Sequence, residues 1–274
     1  MRVRLEQISY TYPSGITALN NVSLATSPGE SLAIIGENGA GKTTLARHMN
    51  GLLRPQSGSI WIGDWEASQK TVAELSARVG HVFQNPNDQL FARTVRDEVA
   101  FGPRNLGWSR QQVDESVEAA LAQTGLEEYA ETHPYDLHAA DRKFVAIAAT
   151  LAMRTSIVIL DEPTTGQDAP GVDRMSAIVE ALKRANTSVI TITHDMDFCA
   201  EHFQRIVVMS NGRIISDGDA EDVLVQIDML ASAGLRPSQL VRLALALGIP
   251  SVPMTVDEFV SDYANHKKTR RDLT

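Results

Sequence analysis

Apolar and polar residues alternate from Arg2 to Ser23, and the alternation is broken once, at Pro13-Ser14-Gly15. Period-two patterning on both sides of a Pro/Gly turn predicts two paired strands. At Ser31–Ile35 the pattern becomes a short continuous apolar run, which predicts a buried strand and delivers the chain into a glycine-rich loop. A helix is expected over Lys42–Asn50, ended by Gly51, and a further strand over Ser59–Ile62.

From Asn87 to Leu151 the periodicity is helical, with Ser109–Ala122 carrying charges along one face and Asp141–Met153 following. Strand patterns return at Ile157–Leu160, Ser188–Thr193, Ile206–Met209 and Arg213–Ile215, with a helix over Gly171–Ala185. Strands alternating with helices predict a parallel α/β sheet. The chain therefore divides into an α/β core from residues 1–86 and 156–229, a helical subdomain over 87–155, and a C-terminal helical extension over 230–274. In that extension a helix near Ser238–Leu247 stops at Gly248-Ile249-Pro250, and the basic stretch His266-Lys267-Lys268-Thr269-Arg270-Arg271 reads as a solvated, frayed tail.

Composition narrows the function classes. With 274 residues, 43% of them hydrophobic, the chain can bury a sizeable core, and its net charge of −9 argues against nucleic acid as main partner. Cys199 is the single cysteine, so no internal disulfide forms and the thiol is expected to be a small buried hydrophobe. The start, MRVRLEQISY, has no signal-like apolar run, and FVAIAATLAM and LALALGI fall short of the ~18 residues of a membrane span. A cytosolic chain that does not itself cross a membrane is the expectation.

The glycine-rich loop carries the first chemistry. Gly36-Glu37-Asn38-Gly39-Ala40-Gly41-Lys42-Thr43 fits G-x-x-x-x-G-K-[ST] between a strand and a helix, with Thr44 next in the helix. Backbone N–H groups freed by the glycines wrap phosphates, the helix N-terminus adds its positive end, and Lys42 reaches the β and γ oxygens. Thr43 would place its hydroxyl on Mg²⁺. The second motif is Ile157-Val158-Ile159-Leu160-Asp161-Glu162, an apolar strand ending in two carboxylates at the edge where open α/β sheets bind ligands. There Asp161 would hold the metal and Glu162 would orient or deprotonate the attacking water.

With three further motifs, Gln84 in HVFQNP, Asp168 in TTGQD and His194 in ITITHD, the chain resembles the ATPase subunit of ATP-binding cassette (ABC) transporters over residues 3–225. The resemblance implies an α/β P-loop NTPase of the ABC ATPase fold, with an N-terminal antiparallel β-subdomain, a helical subdomain and a short C-terminal helical extension. It implies ATP and Mg²⁺ as ligands, Gln84 on the metal, His194 on the γ-phosphate, and Asp168 against an opposite subunit. An aromatic residue before the phosphate loop stacks on adenine in this family; Tyr12, before the Pro-Ser-Gly turn, is favoured, with Tyr10 the alternative. QNPNDQLFARTVRDEVAFGPRN and the C-terminal LRPSQLVRLALALGIPSVPMTVDEF resemble the energy-coupling-factor importers of vitamins and transition-metal ions. That group implies a peripheral position on the cytoplasmic side of the membrane, with a second ATPase subunit, a transmembrane coupling protein and a substrate-binding membrane protein as partners. The C-terminal helix would then serve either core packing or dimer contact.

One stretch departs from the family. Where its signature reads Leu-Ser-Gly-Gly-Gln and meets the other subunit's γ-phosphate, this chain has Leu137-His138-Ala139-Ala140-Asp141. His138 could still donate a hydrogen bond; Ala139 and Ala140 keep their N–H groups but add Cβ atoms that hinder close approach and any φ > 0 backbone; Asp141 brings a negative charge. The loss of one preorganised donor to developing charge typically costs about 2.7–4 kcal/mol. The expectation is an asymmetric pair in which this chain's own Lys42, Asp161, Glu162 and His194 are completed by a partner with an intact signature. Two alternatives stand beside it: a weakly hydrolysing regulatory subunit and a soluble non-transport ABC ATPase.

Overall fold

The N-terminal alternation forms a hairpin in which β1 (Val3–Thr11) pairs antiparallel with β2 (Thr17–Ala25), Tyr10 lying opposite Leu19. Val3 and Leu5 point inward, but the next inward residue is Ile8. The register slips there, where Gln7 takes φ 51°; one extra residue moves the inward positions from odd to even. The chain then crosses through β3 (Ser31–Ile35) and α1 (Lys42–Met49) and returns as β4 (Ser57–Ile62) and β5 (Trp65–Glu66). The first sheet has the order β2-β1-β4-β5. This computed structural model describes residues 1–249, 251 and 253–272.

After α2 (Val72–Ser76), opened by a Thr71–Glu74 capping box, the strand β6 (Val79–Val82) is buried at all four positions. Three helices follow, α3 (Val95–Asn105), α4 (Arg110–Thr124) and α5 (Ala139–Ala152), packed on one another through Val95, Val99, Val117, Leu121, Phe144 and Ile147. α4 runs from a Ser109–Gln112 capping box to Gly125 in the left-handed conformation, close to its predicted span. α5 begins two residues earlier than predicted, which puts Ala139 and Ala140 in its first turn.

The chain then alternates through β7 (Ile157–Asp161), α6 (Ala169–Arg184), β8 (Ser188–Ile192), α7 (Met196–His202), β9 (Arg205–Ser210) and β10 (Arg213–Asp219). The second sheet has the order β10-β9-β3-β8-β7-β6, parallel from β9 to β6, with β10 antiparallel at its edge. Its strands look uniformly apolar because each face meets its own core. Ala33, Ile35, Val158 and Leu160 pack with the helical subdomain, whereas Leu32, Ile34, Ile157 and Ile159 pack under the first sheet. Cys199 is buried as expected, and burial pushes its thiol pKa up.

After β10 come α8 (Ala220–Val223) and α9 (Ile227–Ser232), which crosses into the C-terminal extension, followed there by α10 (Gln239–Leu247) and α11 (Val256–Asp272). Gly248 ends α10 at φ 70°, as the sequence predicts; Pro250, the other half of that stop, lies outside the described residues. The expected frayed tail is corrected: the backbone of His266–Arg271 belongs to α11, whose first turn places acidic Asp257 and Glu258 at its positive end. The side chains beyond Lys267 lie outside the described ones.

Candidate nucleotide site

Strand register brings the predicted motifs to one edge. Ile34 pairs with Ile192, Asp161 also pairs with Ile192, and Val82 pairs with Leu160. The phosphate loop, Asp161-Glu162, Thr193-His194 and Gln84 thus leave the second sheet at the carboxyl ends of four adjacent parallel strands, the place where such sheets bind ligands.

The phosphate loop is shaped by its glycines and neighbours. Gly41 takes φ 102° as the N-cap of α1, and a Cβ there would collide with the Ala18 carbonyl oxygen. Gly36 and Ala40 are buried at the loop's two ends, while Asn38 and Gly39 are exposed at its crown. Buried Lys42 donates from Nζ to the carbonyl oxygens of Gly36 (2.7 Å) and Glu37 (3.0 Å). Burial lowers its pKa, against the charges of Glu162, Asp161 and Glu37. Its ammonium is therefore spanned across the loop, where an arriving phosphate would find it.

Thr43 Oγ1 donates to Asp161 Oδ1 at 3.4 Å. Burial raises the Asp161 pKa, the Thr43 bond opposing it, so this is a carboxylate that a cation would hold ionised. The pair supplies the hard oxygen donors magnesium takes. Among the described residues no three His, Cys, Asp or Glu side chains converge on a metal position. A cation here would depend on phosphate oxygens for its remaining ligands.

Glu162 is buried and takes φ 51°, the left-handed region. Its Oε2 lies 2.9 Å from Nδ1 of exposed His194 and accepts from the hydroxyls of Thr165 (3.2 Å) and Thr193 (3.3 Å). Both threonines were invisible as site residues in the sequence, although Thr193 immediately precedes the motif histidine. Tyr12 sits beside the loop, its OH 3.0 Å from Thr44 Oγ1, while Tyr10 packs edge-on against both Tyr12 and His48 at the first core. Gln84 is exposed. Asp168, also exposed, caps α6 by accepting from Gly171 N at 3.0 Å.

The altered signature differs from its expected geometry. Ala139 and Ala140 are right-handed helical, so neither occupies a backbone conformation that demands glycine; of the expected hindrance only the bulk of their Cβ atoms remains. His138 is the exposed N-cap of α5 and its side chain makes no capping bond. Asp141 turns to Arg174 Nη1 at 3.4 Å, which offsets the charge that would repel a phosphate.

A family model described as ABC transporter matches residues 19–165. The cobalt import ATP-binding protein CbiO of Rhodobacter capsulatus is 40% identical over 88% of this chain and 87% of its own length. The energy-coupling factor transporter ATP-binding protein EcfA of Methanothermobacter thermautotrophicus is 37% identical over 93% of this chain and 84% of its own. The chain spans less than half the length of three further relatives. Among solved structures, CbiO1 of Clostridium perfringens, part of the complex CbiONQ, superposes with a TM-score of 0.75 at 32% identity, covering 90% of this chain and 98% of that one. No helix among the described residues is long and apolar enough to cross a membrane. With a phosphate loop, an acidic strand end and a histidine on one sheet edge, the chain belongs to the ABC transporter family, as an ATPase of the energy-coupling-factor type.

Proposed function

We propose that this chain energises an importer for a vitamin or a transition-metal ion from the cytoplasmic face of the membrane, as the hydrolysing half of an asymmetric ATPase pair. The observation that carries the reading is the contrast between its two ends. Glu162 is buried and gripped by His194, Thr165 and Thr193, ready to take a proton from water. The stretch facing a partner's nucleotide has an uncapped histidine, two alanines and an acid.

In this reading the loop amides and Lys42 hold the phosphates, Tyr12 lies under the base, and Glu162 aligns an in-line water while His194 steadies the γ-phosphate. Thr43, Asp161 and Gln84 would hold a magnesium ion, which when bound would supply neutralisation of phosphate charge. The transmembrane coupling protein docks beside the Gln84 loop, on the apolar groove of Leu52, Val72, Phe83, Phe91, Phe101 and Met153, and the substrate-binding membrane protein joins through it. Exposed Leu243, Leu245 and Leu247 on α10 offer the second ATPase subunit an apolar face.

Glu162→Gln in this chain should reduce ATP turnover of the assembled complex at least about 100-fold. The equivalent change in the partner ATPase should leave most of it. Equal losses from the two substitutions would refute the asymmetry. Undiminished turnover with Glu162→Gln would instead make this chain a nucleotide-binding regulatory subunit.

A further inference from the structure

The segment Leu137–Lys143 reaches further into its own chain than a partner-facing loop requires. Three successive side chains leave the first turn of α5 for three different elements. Asp141 meets Arg174 on α6, Arg142 Nη1 donates to Asn87 Oδ1 in the loop after Gln84 at 3.0 Å, and Lys143 turns under the sheet edge. Gln167 Nε2 adds a bond to the Ala140 carbonyl oxygen at 3.3 Å.

Lys143 is the buried member of the three, 4% exposed. Its Nζ donates to Glu162 O at 2.7 Å and to Thr165 O at 2.9 Å. Among the described residues no carboxylate pairs with it directly; burial lowers its pKa while the fields of Glu162 and Asp161 favour the cation. A buried ammonium aimed at two main-chain carbonyls is a costly arrangement, and it falls on the turn where Glu162 takes a positive φ.

That turn needs holding. Glu162 at φ 51° adopts a backbone that L-residues keep only when their surroundings over-determine it. Its N–H donates to Ile192 O at 2.7 Å, which fixes the peptide on one side. Lys143 fixes the peptide on the other, and a second bond to Thr165 O closes the turn. The carboxylate direction is the result of both.

We infer that Lys143 is a positioning residue for hydrolysis: from the signature helix, its ammonium clamps the 162–165 turn and so sets where the Glu162 carboxylate points. This rests on the reading of Glu162 as the group that activates water. The clamp makes the helix that faces the partner's nucleotide and the turn that serves this chain's own nucleotide a single mechanical unit. A displacement of α5 is thereby delivered to Glu162.

The test is steady-state ATP hydrolysis by the complete reconstituted complex carrying Lys143→Met, Lys143→Gln or Lys143→Arg, with Glu162→Gln alongside. Loss of the clamp should lower kcat roughly 10- to 100-fold in Lys143→Met, with KM for ATP within about twofold of wild type. Lys143→Arg, which can still donate to both carbonyls, should recover most of the loss, and Lys143→Gln, with one amide to offer, part of it. Wild-type turnover in Lys143→Met together with a dead Glu162→Gln overturns the clamp while leaving the role of Glu162 intact. A kcat loss matched by a rise in KM and by a fall in thermal midpoint, with no recovery in Lys143→Arg, also overturns it, because packing alone would then account for the lysine. Full turnover in Glu162→Gln overturns the underlying reading itself. Should Lys143→Met fail to assemble, Lys143→Gln decides: a kcat at the wild-type level rejects the clamp.

Discussion

Asp161 shows how one residue can be a liability to the empty protein and an asset to the loaded one. It is 2% exposed, and the hydrogen bond its side chain accepts from Thr43 is long at 3.4 Å. Burial raises its pKa above the ordinary 3.8, so the native state binds that proton more tightly than the unfolded chain does. The sign of the linkage follows: this contribution to stability is full below pH 3.8 and is lost as pH rises through the raised native value. Above that raised value the nucleotide-free protein carries a buried charge that the Thr43 hydroxyl and the fields of Arg47 and Lys42 offset only in part. Asp161→Asn keeps a carbonyl oxygen for Thr43 and removes the charge. It should raise the thermal midpoint of the nucleotide-free protein, by about 2–4 °C for each kcal/mol relieved, while abolishing hydrolysis. Calorimetry at pH 7 checks the first and an ATPase assay the second; a lowered midpoint would show that the charge is already satisfied.

Among the elements, α5 bears the clearest compromise. Ala139 and Ala140 are the best helix formers in its first turn, where the family pattern has two glycines. Replacing both alanines with glycine should destabilise the protein by about 1–2 kcal/mol, read as a lower urea midpoint at unchanged slope. An unchanged midpoint would mean that the first turn contributes nothing to folding. The same helix shows what periodicity can and cannot reveal. Its body, from Phe144 to Ala152, was legible because its apolar residues line the helical core, but its start was not, since His138-Ala139-Ala140 contains no capping side chain to mark it. The strand β6 was missed for a related reason: Gly80 and His81 interrupt its apolar run, and its burial comes from pairing with β7, 78 residues away. The helix α3 was hidden within a broadly helical stretch by Pro103 near its end. In the site, Lys42, Thr43, Asp161 and Glu162 announced themselves by local spacing and His194 by the family motif it resembles; the Thr165 hydroxyl reaches Glu162 only three residues back, through the left-handed turn at Glu162, whereas Lys143 acquires its contacts only when α5 folds over the sheet edge. Lys143 lies 19 and 22 residues from the two carbonyl groups it holds, too far for helical or strand periodicity to connect them.

At the scale of the whole molecule, the two ends of the site make different demands, and a graft separates them. If the pair is asymmetric because Leu137–Asp141 supplies poor donors, restoring the family signature through H138S, A139G, A140G and D141Q should repair the partner's site without touching Glu162. In a complex already silenced by Glu162→Gln, the graft should raise turnover about 10²- to 10³-fold, the scale of regaining an oxyanion donor, provided the partner has its own catalytic glutamate. The gain should vanish when that glutamate is also changed to glutamine. The graft also removes the Asp141–Arg174 ion pair, whose side chains are 30% and 26% exposed and whose 3.4 Å contact contributes little to stability. Stability measured in parallel would therefore change mainly through the two glycines. A graft that leaves the silenced complex inactive, in a complex whose partner glutamate is intact, would place the asymmetry elsewhere. The remaining physical difference would then lie in how α5 is held, because the same segment proposed to face a partner's nucleotide is tied through Lys143 to the turn that carries Glu162.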